Sequence, residues 1–309
     1  MVKVFKFLVF SSFYFSFIFS KAPSLLEFGY IPGSYALSDL VKESLGREDV
    51  TSKQPITLTS GKAKDNKELY GFWELKFYNQ EKEILQRLFK SWSVTKDDLF
   101  SAICDWHFNQ KFIEKNGNKN DKNLKRIDLK SYPVEFAIIT DVVTDMGFKV
   151  EDIDFYLRND LRCIFEGARI ENLIELTICK MSKETSKKIF KYVIFHEFVH
   201  ILYKDLETLS FLCSLASVKG KSLKDLNGQD PIVNELRKNQ EMRAYILAAI
   251  KYSFLYTHLY LNREELQGEC YPKNEEVQKE LAYVESMSPD FGLVKKGLLA
   301  VATFLDFNI

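Results

Sequence analysis

Apolar residues recur at intervals of three and four along much of this chain, the spacing that gives a helix one buried face. Residues 73–92, WELKFYNQEKEILQRLFKSW, set Ile84, Leu85, Leu88 and Phe89 on such a face. KDDLFSAICDWHFNQKFI, at 96–113, reads the same way. PVEFAIITDVVTDMGF, at 133–148, predicts a helix opened by Pro133, because a first-turn N–H has no intrahelical partner to lose. The stretch LRCIFEGARIENLIELTIC, at 161–179, differs: it is rich in Ile and Leu and punctuated by Gly167 and Asn172. It predicts two short strands or a hairpin turning near Glu171–Asn172. A loop rich in Gly, Lys and Asn ends at Asp230–Pro231, a cap followed by a first-turn proline. From it a long helix is expected over Ile232 to about Leu261, with two shorter ones after it. Residues 21–70 show little periodicity, and the polar run 114–126 reads as an exposed loop. The pattern predicts an α+β chain, mostly helical, with a small sheet.

One predicted helix is apolar on nearly every side. Ser182 can cap it, Glu184 suits its first turn, and it continues into YVIFHEFVHILY, residues 192–203. Such a helix is buried, and a carboxylate in its middle is costly unless something compensates the charge. His196 and His200 stand four apart, so they project from one face about a turn apart. Two imidazoles at that spacing can hold one Zn²⁺, with Glu197 beside the position of a water on the ion. The bland alternative is a pair of core histidines bonded to carbonyls, with a glutamate paired to a lysine.

A catalytic zinc needs a third protein ligand. The pattern HExxHxxGxxH is absent, since Tyr203 and Leu206 stand where its glycine and last histidine would be. Glu207 lies roughly 10 Å further along an unbroken helix, too far to share the ion. Glu241 fits better: Glu241, Ala244 and Ala248 line one stripe of the next long helix, and small alanines allow close approach. Glu235 has Lys238, Asn239 and Met242 for neighbours and reads as solvated. A surface glutamate is the other reading of Glu241.

HEFVH followed some forty residues later by EMRA on a second helix resembles the gluzincin metallopeptidases. The resemblance covers about residues 173–250 and implies a zincin-like domain whose small sheet precedes the HExxH helix. It implies that His196, His200 and Glu241 hold Zn²⁺ and that Glu197 is the general base in peptide hydrolysis. Tyr245 replaces the aspartate that some integral-membrane relatives carry at this place. Tyr245 and Tyr203 are the candidate oxyanion stabilisers, with simple core packing the other reading of each. His258 is expected away from the metal, and His107 reads as partly buried. LIELTIC occupies the place of a strand that pairs with extended substrate in zincins. The alternative is a zinc-binding envelope protein with the zincin fold and little or no turnover. A third reading is a membrane-anchored interaction protein in which HExxH is accidental.

Charge changes little in this picture. Lys plus Arg equals Asp plus Glu, 43 each, which offers no field for nucleic acid. The N-terminus adds more: Lys3 and Lys6 precede an uncharged run, Phe7 to Ser20, too short to span a bilayer and suited to a secretory signal. Residues 1–20 are therefore expected to be a signal peptide or an N-terminal anchor, with possible membrane association. Export then places the protein outside the cell or in the envelope, acting on a protein or peptide. Residues 21–126 are expected to form an N-terminal, mostly helical region, and 127–309 the metallopeptidase domain. None of the five cysteines forms a CxxC, so a cysteine-based zinc ribbon is unsupported. Cys163 and Cys179 would lie close together in a hairpin at 162–180, and free buried cysteines are the equal alternative.

Overall fold

The computed structural model describes residues 30–47, 63–116, 124–158, 166–170, 173–178, 187–221, 230–254, 257–258 and 271–288. The signal or anchor segment, the cap at Ser182 and the Cys163–Cys179 pair lie outside them. Cys104 and Cys213 are free thiols. No described helix is long and apolar enough to cross a membrane.

The described chain is mostly helical. Its helices are α1 (Tyr35–Leu45), α2 (Asn66–Ser91), α3 (Lys96–Asn116), α4 (Pro133–Asp145), α5 (Lys187–Tyr203), α6 (Asp205–Val218), α7 (Pro231–Lys251) and α8 (Asn274–Met287). The strands are β1 (Leu124–Arg126), β2 (Ile153–Arg158), β3 (Glu166–Ile170) and β4 (Leu173–Ile178). Local chemistry sets many of the ends. Ser34 Oγ accepts the Leu37 N–H at the start of α1, and Gly46, at φ 77°, returns its N–H to Glu43 and Lys42. Asp65 caps α2 through the Glu68 N–H, and Asp230 caps α7 through the N–H groups of Ile232 and Val233. Pro133 and Pro231 occupy first turns, as their sequences predict.

The four strands form one mixed sheet in the order β1-β2-β4-β3. β1 runs antiparallel to β2, β2 parallel to β4, and β3 antiparallel to β4 with Gly167 opposite Leu176. The hairpin expected at 161–179 is thus β3–β4, with Ile170 opposite Leu173. β4 pairs on both sides, so LIELTIC cannot take a substrate strand as expected; its backbone groups are already used. β1 and β3 are the edge strands, each with no described neighbour on its outer side, and β3 is the one packed on α5.

α5 runs through the middle of the core, with Ile189, Phe190, Tyr192, Val193, Ile194, Phe195, Phe198, Val199 and Ile201 all buried. It packs on β3, α4 and α7, while α7 also packs on α2 and α8, and α3 packs on α6. The helices before residue 126 therefore share the compact unit Pro32–Ile309 with the sheet and α5.

Three departures from the predicted elements matter. α1 arises in a stretch with weak periodicity, and β2 in an alternating stretch, IDFYLR, to which no element was assigned. The helix expected to reach Leu261 ends at Lys251, where Tyr252 stacks on Phe195 of α5 at 5.4 Å between ring centroids. The motif helix also stops early, at Tyr203. Lys204 adopts the left-handed conformation (φ 55°) and separates α5 from α6. Neither glycine nor proline marks that break, and a non-glycine residue there is held by its surroundings.

Candidate metal centre

His196 and His200 sit a turn apart on α5, and Glu241 meets them from α7. Ala244 and Ala248, which follow Glu241 on α7, are both fully buried, and α7 packs on α5. The Nε2 atoms of the two histidines lie 3.2 Å apart. Glu241 Oε2 lies 3.5 Å from His196 Nε2 and 3.7 Å from His200 Nε2. A tetrahedral zinc with bonds of roughly 2.0–2.1 Å has ligand edges of about 3.3 Å. The three separations match that requirement closely, and two imidazole nitrogens with one carboxylate oxygen suit the ion. Among the described residues this is the one group of three or more such side chains placed to hold a metal.

The site is largely desolvated: 9% of the His196 side chain, 13% of His200 and 21% of Glu241 remain exposed. Electrostatics follow from that crowding. Burial alone would raise the Glu241 carboxyl, but the two imidazoles outweigh it and hold the group well below the usual carboxylate range. Burial alone would lower His200, and the Glu241 and Asp205 carboxylates push it well above the usual imidazole value instead.

Glu197 points from α5 towards the sheet. Its Oε2 accepts the Gly167 N–H at 2.9 Å, so that N–H faces away from β4. Burial raises the Glu197 carboxyl above its ordinary value; Glu241 adds to this, and the two histidines and the Gly167 N–H oppose it. Gly167 is required for the approach. A Cβ there would stand 2.5 Å from the Glu197 carbonyl oxygen, a backbone atom that cannot step aside.

Tyr245 packs its ring on His196, with centroids 4.5 Å apart. Tyr203 instead lies under the Arg243 guanidinium, 4.5 Å from its ring centroid, with its buried hydroxyl turned to that of Tyr70 on α2. Glu207 is on α6 rather than further along the motif helix, and accepts the Gly33 N–H at 2.6 Å. Glu235 pairs with Arg87 at the surface, and His258 with Glu285 at 2.9 Å. His107 is partly buried, edge-on to Trp106.

Sequence reasoning missed three residues. Asp205 Oδ2 bonds His200 Nδ1 at 2.8 Å, which directs the Nε2 lone pair towards the cluster. On an unbroken helix a residue five further on would face away; the turn at Lys204 brings it back. Arg243 bonds Asp205 through one terminal nitrogen and Glu81 of α2 through the other. Arg243 stands inside EMRA, so its proximity to Glu241 was visible, but its partners were not. His196 Nδ1 has no such partner among the described residues.

No protein-family model matches the chain, and neither a curated protein nor a solved structure matches it.

Proposed function

We propose that the protein is a zinc-dependent peptidase, with His196, His200 and Glu241 as the metal ligands and Glu197 as general base. The observation that carries the reading is the convergence of three donor atoms at tetrahedral spacing beside a carboxylate that is not one of them. A zinc ion bound there would supply Lewis-acid polarisation and an activated water. Asp205 fixes the His200 ring so that Nε2 is the free donor. Glu197, raised by burial, is set to take a proton during attack on a carbonyl and to pass it to the leaving amine. β3 runs past Glu197 at one edge of the sheet, and the Gly167 N–H on its outer side is taken by the Glu197 carboxylate, so an extended peptide laid along it by strand addition must use the other outward groups. Tyr245, on His196, is the better placed of the two tyrosines to act near the metal.

The test is metal content together with turnover. The purified protein should carry about one zinc per chain, lost in His196→Ala, His200→Ala and Glu241→Ala but kept in Glu207→Ala and Glu235→Ala. Glu197→Gln should stay folded and zinc-loaded while cleavage of a peptide library falls by about 10²- to 10⁴-fold. Equal cleavage by the wild type and Glu197→Gln would remove the general base from the mechanism. Zinc bound in both with no cleavage by either would favour the zinc-binding protein without turnover.

A further inference from the structure

We infer that Glu81, on a helix remote in sequence from the motif, is a positioning residue of the metal centre, acting on His200 through Arg243 and Asp205. The inference rests on the metal site proposed above. Glu81 and Arg243 are each 1% exposed and Asp205 5%, so three formal charges lie together in the core. The guanidinium is held on three sides: Glu81 takes Nη1, Asp205 takes Nη2, and the Tyr203 ring covers a face. Burial opposes its charge, and the carboxylates of Asp205 and Glu81 outweigh that and bind the proton more tightly.

The two oxygens of Asp205 are divided between two partners. Asp205 gives Oδ1 to Arg243 and Oδ2 to His200, so the rotation of its carboxylate is fixed by where the guanidinium lies. Glu81 fixes the guanidinium in turn. Without that carboxylate, Nη1 would be buried and unpaired, and the guanidinium would turn to recover a bond, taking Asp205 with it. A role as a mere fastener between α2 and α7 explains the triad poorly. Buried ion pairs seldom gain stability over apolar packing of equal volume, and these helices, packed on each other, both contribute apolar residues to the same core. A planar guanidinium holds its two terminal nitrogens in one fixed plane and so sets one carboxylate against the other, which an apolar pair cannot do.

The test measures zinc affinity of the full-length protein by chelator competition, with the visible spectrum of the Co²⁺-substituted form as a reporter of ligand geometry. Glu81→Gln should weaken zinc binding about tenfold, the lower end for an outer partner of a ligand, and shift the Co²⁺ bands. Arg87→Ala, at the exposed end of the same helix pair, should change neither. Because Glu81 acts through Asp205, the double variant with Asp205→Asn should bind zinc no more weakly than Asp205→Asn alone. Should Glu81→Gln fail to fold, Arg243→Lys, which keeps a cation but loses the planar bridge, enters the same cycle. Wild-type affinity and an unchanged spectrum in Glu81→Gln, or additive losses in the cycle, would overturn the inference. A wild type that binds no zinc defeats the metal reading as well. Zinc held by His196, His200 and Glu241 but indifferent to Glu81 defeats this inference alone.

Discussion

Helices α2 and α7 meet twice through an arginine and a glutamate, and the two meetings share chemistry and little else. Arg87 and Glu235 approach to 2.6 Å with 46% and 49% of their side chains exposed. Glu81 and Arg243 join in the core at 1% each, with Asp205 on the far side of the guanidinium. At the exposed end water and salt screen the attraction, and such pairs are worth about 0–1 kcal/mol. At the buried end both charges have lost their hydration, and the attraction must first offset that loss. Separation between partners therefore says little about consequence; the surrounding medium decides it. The exposed pair can be removed at little cost, whereas the buried one controls how a candidate ligand is held.

The comparison breaks most easily at Arg243. Arg243→Met leaves Glu81 and Asp205 buried without their cation and should cost about 3–5 kcal/mol in urea unfolding. A loss below about 1 kcal/mol would make the two ends alike. Next in size is Glu207, a carboxylate with no exposure that lies away from the metal cluster. Glu207→Leu strands the Gly33 N–H and should cost about 1–3 kcal/mol while leaving zinc content unchanged, which separates burial from a role at the metal. Arg87→Ala should change stability by no more than about 1 kcal/mol, and the difference should fade in high salt, unlike that of Arg243→Met.

The smallest expected effect concerns a second partly exposed pair, Asp98 with Lys219, at 3.0 Å. Partial burial pushes the Asp98 carboxyl up, but the Thr95 N–H, the Lys219 ammonium and the Thr95 hydroxyl outweigh it and hold it below the usual range. A depressed carboxyl contributes stability above its unfolded-state value, about 3.9, and loses it as pH falls through the folded value. Asp98→Asn should therefore lose less stability than the wild type on acidification below about pH 4. Parallel acid limbs in the two proteins would show that the pair is fully screened.

Legibility in the sequence followed distance along the chain. His196, Glu197 and His200 were readable because helical periodicity alone fixes which neighbours share a face. Glu241 was readable at one remove, because Ala244 and Ala248 mark the side of α7 that another helix can approach. The hairpin β3–β4 was signalled by Gly167 and Asn172, but which of its strands lies inside the sheet was not. That depended on β2 pairing in parallel with β4 rather than with its nearer neighbour β3, a choice that local alternation does not report.

The sequence by itself determined the local part: two imidazoles and a carboxylate on one turn of a buried helix, and a second helix able to bring up another carboxylate. Only the tertiary structure decided what holds them. Asp205 reaches His200 because Lys204 turns the backbone into the left-handed region with no glycine to announce it. Arg243 and Glu81 meet across two helices far apart in sequence. Gly167 comes against the backbone of α5 because the edge of the sheet is pressed there. Periodicity reports which side of an element is apolar. It cannot report which distant polar groups will share a desolvated space, because that pairing is chosen by the packing of all the elements at once.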